Sequence, residues 1–268
     1  MQSQIRGMKF YIAVDLEGVA CSVGISGQGM GSDKNYQFAV KQAAREANAA
    51  ATALYDLGAS EVWIWDAHGT GVNLDYDVFN NKCRFMLGSG SHTRFSMIDD
   101  SFGGILFIGY HSYDETNATL AHTYSSLAYQ YMKIDSHQVG EAHIDAAFAA
   151  RKGVPLIFAS GDDVFISQIN ESFPDCRTVE TKKALGWNCC ISKHPKAVLD
   201  EIYEKTIDAC NSIEMIKPII MKEPFRLEVR YKRIEQAQSC AYRNPDMTEF
   251  ERVDAYTRRG ICRLDDLF

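Results

Sequence analysis

Two acidic residues two positions apart, Asp15 and Glu17, close the apolar run Lys9-Phe10-Tyr11-Ile12-Ala13-Val14, and Gly18 ends it. In an extended chain alternate side chains point the same way, so both carboxylates are expected on one side. Carboxylates so placed repel each other unless a cation or a proton lies between them. Histidines follow in the same setting. The run Glu61-Val62-Trp63-Ile64-Trp65 delivers Asp66-Ala67-His68-Gly69, and Ile105-Leu106-Phe107-Ile108-Gly109 delivers Tyr110-His111. Carboxylate oxygen together with imidazole nitrogen suits zinc, manganese or iron better than calcium. Asp15, Glu17, His68 and His111 would fill one tetrahedral zinc and leave no position open. Glu141, in Val139-Gly140-Glu141 at the start of an expected helix, is the best fifth ligand. With a bridging carboxylate, such a set would support two ions sharing a water. His122, in Leu120-Ala121-His122-Thr123, is the remaining reactive candidate.

Taken singly, each residue has a plainer reading. An aspartate at a strand end is usually a turn or cap residue, and a glutamate in a first helical turn is favoured by the helix dipole. Asp66 is a candidate to orient His68, as partners of metal-ligating histidines commonly do. Asp145 could share the face of Glu141 or simply be solvated. Asp162 and Asp163, after Gly161, could bind metal but read better as a cap for the next helix. His92, His137, His143 and His194 read as surface or packing residues. The co-location of four ligand types at strand ends is what argues for a metal site.

The elements that must position them read as alternating strands and helices. Asn35–Leu57 shows helical spacing of apolar residues before Gly58, and it separates the strands Lys9–Val14 and Glu61–Trp65. Such a β-α-β unit crosses over right-handed into a parallel sheet. Further strands are expected at 84–87, 104–109, 154–160, 177–181 and 225–231, with an extended segment over 127–134. Further helices are expected over 141–151, 163–171 and 194–213, with a weaker one near 92–97. The loop from Ser22 to Ser32, with four glycines, is long enough to lie over a site. This order predicts a three-layer α/β fold with a mostly parallel central sheet and a smaller C-terminal α+β portion. One domain is expected, its core over about 8–190 and a subregion over 191–268. Ligands in such sheets gather at the carboxyl ends of the strands.

With 268 residues, 46% hydrophobic and 24% charged, the chain has the composition of an ordinary globular protein. A net charge of −7 disfavours nucleic acid as a partner. Lys182-Lys183 and Arg258-Arg259 are pairs rather than patches, and read as solvated faces. Residues 1–7 are polar and no long apolar stretch occurs, so neither export nor a membrane partner is expected. The eight cysteines include no C-x-x-C, which points to reduced thiols in the cytoplasm, mostly as small buried hydrophobes.

Several stretches together resemble the zinc-dependent D-aminopeptidase family of the DppA type. They are Tyr11-Ile12-Ala13-Val14-Asp15-Leu16-Glu17-Gly18, Trp65-Asp66-Ala67-His68, Phe107-Ile108-Gly109-Tyr110-His111, Ala121-His122-Thr123, Val139-Gly140-Glu141 and Ala159-Ser160-Gly161-Asp162-Asp163. The resemblance covers about residues 8–165 and is thinner beyond. It implies a two-zinc site of Asp15, Glu17, His68, His111 and Glu141, with His122 catalytic as nucleophile or acid/base. It also implies a small peptide substrate with a free N-terminus, D-amino-acid peptides among them, and a large ring-shaped homo-oligomer. Two features depart from the family pattern: Glu115-Thr116-Asn117-Ala118-Thr119 lacks a Pro-Gly, and Thr123-Tyr124 replaces Ser-Met. Both lie beside His122 and bear on substrate preference rather than on metal binding. The alternatives are a two-metal amidase or other hydrolase, and a catalytically silent metal- or metabolite-binding protein.

Overall fold

The computed structural model describes residues 5–268 except 27, 28, 32, 92 and 115. The reading of His92, and Glu115 of the departing segment, lie outside the described residues.

Strand β1 (Lys9–Val14) is buried from Phe10 onward. Its side chains alternate between two cores, as a pleated strand requires. Tyr11 and Ala13 face one core, while Phe10, Ile12 and Val14 face the other. Burial on both faces explains why the run is continuously apolar. Helix α1 (Lys34–Asp56) begins at Asp33, whose carboxylate accepts from Asn35 N and Tyr36 N at 2.6 and 3.1 Å. Such a cap satisfies amides left free by the first turn. Next come β2 (Glu61–Asp66), β3 (Arg84–Met86) and β4 (Phe102–Ile108). The chain then forms β5 (Tyr129–Ile134), β6 (His137–Val139) and α2 (Glu141–Ala150), followed by β7 (Leu156–Asp162) and α3 (Asp163–Ser172). The rest comprises β8 (Arg177–Gly186), β9 (Cys189–Ser192), α4 (Pro195–Asn211), β10 (Phe225–Tyr231), α5 (Ile234–Gln238), β11 (Glu251–Arg252) and β12 (Thr257–Cys262).

Seven strands form one sheet in the order β3-β2-β1-β4-β7-β8-β9. All its pairings are parallel except β8–β9. Succeeding strands are added on one side of β1 as far as β3 and on the other from β4 onward. The order therefore reverses between β1 and β4, where open α/β sheets bind ligands. Helices α1 and α4 pack together and cover one face of this sheet. The other face is covered by α2, α3 and a second, antiparallel sheet in the order β11-β12-β10-β5-β6. The C-terminal strands thus complete a sheet with mid-chain strands: Leu227 lies opposite Ile134, and Val229 opposite Met132.

Several expectations need correction. No helix forms near 92–97; the described residues there are turns and bends, with Phe95 and Met97 at φ +50° and +67°. Strands β6, β9, β11 and β12 lie outside the expected set, and β8 runs five residues past Thr181. Lys182 and Arg258 are buried rather than on solvated faces. Only Cys176, Cys210 and Cys262 of the eight thiols are buried, Cys189 is exposed, and all eight are free. Among the described residues no helix is long and apolar enough to cross a membrane.

Candidate active site

Asp15 leaves the end of β1 with its amide donating to Ile108 O at 2.8 Å. The backbone then turns, and Gly18 N donates to Gly109 O at 2.7 Å. A Cβ on Gly18 would lie 1.9 Å from Tyr110 O, so only glycine lets the turn approach β4 this closely. The two carboxylates do converge, but through this turn rather than by alternation along a strand. Asp15 Oδ1 lies 2.8 Å and Glu17 Oε2 3.1 Å from His68 Nδ1.

His68 follows β2. Its orientation is not set by direct contact with Asp66. The Asp66 carboxylate accepts from the amides of Asn73 and Leu74 at 2.5 and 3.0 Å and from Asn73 Nδ2 at 3.0 Å. Asn73 Nδ2 also lies 2.5 Å from His68 O, so Asp66 holds the His68 loop through Asn73.

The other side of Asp15 faces a second donor group. His111 Nε2 lies 3.4 Å from Asp15 Oδ2 and 3.3 Å from Glu141 Oε1. Glu141 opens α2, where its charge suits the helix N-terminus. Its Oε1 accepts from Tyr124 N at 2.8 Å. The His122 ring stacks on His111 with centroids 4.1 Å apart and planes 9° from parallel. His122 Nδ1 lies 2.8 Å from Leu120 O, so Nδ1 carries the proton. Its Nε2 is left as the basic nitrogen, 3.8 Å from Glu141 Oε1. Leu120 and Tyr124, flanking His122, both adopt φ +56°, a strained backbone for such side chains.

Burial raises Asp15, but the adjacent His111 and His68 outweigh it and hold the carboxyl well below its ordinary value. Burial likewise works against protonated His68 and His111. The charge of Glu17 on His68, and the nearby Asp15 and Glu141 carboxylates on His111, nevertheless leave both well above the usual imidazole range. His122 goes the other way: burial and then the adjacent His111 lower it, favouring the neutral ring. Three buried carboxylates so close together require positive charge among them.

The donor set fits zinc. Two ligands about 2.0–2.1 Å from one tetrahedral zinc lie about 3.3–3.4 Å apart. The His111–Asp15 and His111–Glu141 separations are of that size. Glu17 Oε2 and His111 Nε2 are buried and lack a hydrogen bond of acceptable geometry, although charged partners are close by. That is the geometry of donors aimed at a common centre rather than at one another. Asp15, Glu17, His68, Glu141 and His122 line a cavity of about 240 Å³, whose wall includes Tyr124 and Trp187. His111 lies beneath it, fully enclosed.

The sequence profile of the peptidase M55 family, described as D-aminopeptidase, matches residues 8–262. The chain belongs to that family. A D-aminopeptidase of Bacillus subtilis (strain 168) is 26% identical over 234 residues, 86% of this chain and 84% of that protein. The solved structure described as the Zn-dependent D-aminopeptidase DppA from Bacillus subtilis, a self-compartmentalizing protease, superimposes with a TM-score of 0.84. It is 23% identical, and the match covers 97% of this chain and 93% of that one. The α/β architecture of this family member is therefore that of DppA.

Asp162 caps α3 as expected, while the roles of Arg94, Tyr110, Thr119 and Trp187 around the site escaped sequence reasoning. Asp145, one turn after Glu141, is fully buried rather than solvated. It pairs with Arg94 (Nε and Nη2 at 2.7 and 2.9 Å) and accepts from Tyr110 OH at 2.7 Å. Asp162 accepts from Phe165 N, capping α3, and from Thr119 N, which anchors the His122 loop; both distances are 2.9 Å. Asp163 accepts from Ala184 N at 2.8 Å. His143 is half-buried, accepting from Gly140 N at 3.2 Å, and His194 caps α4. The Trp187 indole donates to Ala121 O at 3.2 Å beside His122. Only the helix caps carried a local signal; the others have none.

Proposed function

We propose that the chain is a cytoplasmic zinc-dependent aminopeptidase that removes the first residue of short peptides, D-amino-acid peptides among them. One observation carries this reading. Asp15 joins two donor groups, Glu17–His68 and His111–Glu141, at the floor of one cavity, and His122 stacks on the second. Two zinc ions per chain would be held by these five residues, with Asp15 shared. Bound there, zinc supplies Lewis acidity toward a carbonyl and makes water a better nucleophile near neutral pH.

The chain's own residues do the rest. The cavity is small beside the roughly 300–1,000 Å³ of common ligand pockets, which suits a short substrate. A peptide's terminal amine, in its neutral form, is a nitrogen ligand of the kind zinc accepts, which would favour the amino end. Hydrolysis joins a water oxygen to the carbonyl carbon, breaks the C–N bond and returns a proton to the leaving nitrogen. His122 Nε2, neutral and oriented through Nδ1, is the group placed to take up and pass on that proton. The self-compartmentalizing description of the DppA neighbour supports a large homo-oligomer for this chain as well.

The test pairs elemental analysis of protein purified without chelator with hydrolysis of D-Ala-D-Ala and L-Ala-L-Ala. About two zinc per chain with cleavage of the D-peptide is expected. Two zinc without cleavage of any short peptide would turn the reading toward an amidase or another hydrolase.

A further inference from the structure

Lys182, on β8, has no exposed surface. Its ammonium donates to three backbone carbonyls of the turn that follows β1: Glu17 O, Val19 O at 3.1 Å and Ser22 O at 2.5 Å. An ammonium has three donors, and all three are used on one loop. The neighbouring Thr181 hydroxyl lies 2.6 Å from Gly18 O and 3.0 Å from Gly161 O. From the opposite side, Glu46 of α1 accepts from Ala20 N at 2.9 Å. The loop is thus gripped at Glu17, Gly18, Val19, Ala20 and Ser22 by buried side chains from β8 and α1.

Burying an ammonium is costly, and an apolar or hydroxyl side chain would fill a strand position more cheaply. Here the turn aims its carbonyls inward at one point, and unpaired buried carbonyls would be costly in their own right. The ligand residues are not equally dependent on this arrangement. Asp15 is fixed by its bond to Ile108 O, directly after a paired strand, and Glu141 by a helix. Glu17 lies on irregular backbone, and its own carbonyl is one of those that Lys182 holds.

We propose that Lys182, with Thr181 beside it, is a positioning residue. Seated in the carbonyl cage of Glu17, Val19 and Ser22, it sets where Glu17 presents its carboxylate. The Glu17–His68 half of the metal centre therefore depends on it, and the His111–Glu141 half does not. The inference rests on the two-zinc reading above.

Zinc titration of metal-free protein against a chromophoric chelator tests it without reference to turnover. The comparison uses wild type, K182M, which keeps the volume and removes the charge, and I202A. Ile202 is a buried α4 residue, so I202A lowers stability while removing no polar group of the cage. Wild type and I202A should bind two equivalents. K182M should bind one at wild-type affinity and the other at least ten-fold more weakly. Two equivalents of unaltered affinity in K182M overturn the role of Lys182 while leaving the two-zinc reading intact. A wild-type chain that binds fewer than two overturns both. Should K182M not fold, T181V, lacking only the hydroxyl over Gly18 O, must weaken the same single equivalent; unchanged binding there overturns the assignment.

Discussion

Replacing Arg94 by Met would test the buried network behind the ligands. The guanidinium forms a two-pronged pair with Asp145, itself completely buried, and lies over the Trp65 ring at 4.3 Å. Asp145 also accepts from Tyr110 OH, which directly precedes His111, and stands one turn after Glu141. One carboxylate therefore ties together the segments that carry two ligands. Met keeps much of the apolar stem but strands the carboxylate, with Tyr110 as its remaining partner in this network. Removing one partner of a buried pair costs about 3–5 kcal/mol. Burial already raises the Asp145 carboxyl above its ordinary value, and Arg94 is the first influence that lowers it. Without Arg94 the folded-state pKa climbs further above the unfolded one. The folded variant then holds a proton that the unfolded chain releases, so its stability falls as pH rises above about 4. Urea unfolding of wild type and R94M at fixed protein concentration, at pH 5 and pH 8, measures both effects. The deficit should be several kcal/mol at pH 8 and smaller at pH 5. The double variant R94M/D145L, with neither charge left, should recover much of it. A deficit below about 1 kcal/mol at pH 8 would refute the argument, because a stranded buried carboxylate cannot be that cheap.

Three further outcomes follow from the site and its surroundings. His122→Ala should retain bound zinc, measured by elemental analysis, while turnover of a D-peptide falls about 10²–10⁴-fold, the usual contribution of a positioned acid–base group. Asp15→Ala should lose metal from both halves, and full occupancy there would remove Asp15 from its shared position. Glu46 is pushed up to about 7 by burial, against an ordinary 4.5. Its folded form therefore holds a proton more tightly than the unfolded chain does. That stability is present in full below about 4.5 and is lost as pH rises toward 7, a difference of about 3 kcal/mol. Thermal unfolding should accordingly show Glu46→Gln gaining on wild type between pH 5 and pH 8, and parallel profiles would contradict this.

Much of the site was legible because its signals are local. A strand buried on both faces must be continuously apolar, so Phe10–Val14, Val62–Trp65 and Ile105–Ile108 announce themselves, and a polar residue just beyond such a run lies at a strand end. Asp15, Glu17, His68 and His111 were reachable in this way, Glu141 through an expected helix start, and the helix over 34–56 was clear from its period and from Gly58. Short or polar strands such as β6 and β9 carry too few apolar residues to show a period.

What the chain dictates by itself is thus the parallel strands of the main sheet and the chemistry at their tips. The tertiary structure alone decided that β1 lies between β2 and β4, which brings Glu17 and His68 to one side of Asp15 and His111 to the other. It also decided which charges are buried. Lys182 meets the carbonyl of Glu17 across 165 residues of chain, and Arg94 meets Asp145 across 51. A lysine or an aspartate in the sequence reads as solvent-facing because burying its charge is unfavourable. Only distant partners reverse that balance, and strand order is what brings those partners within reach.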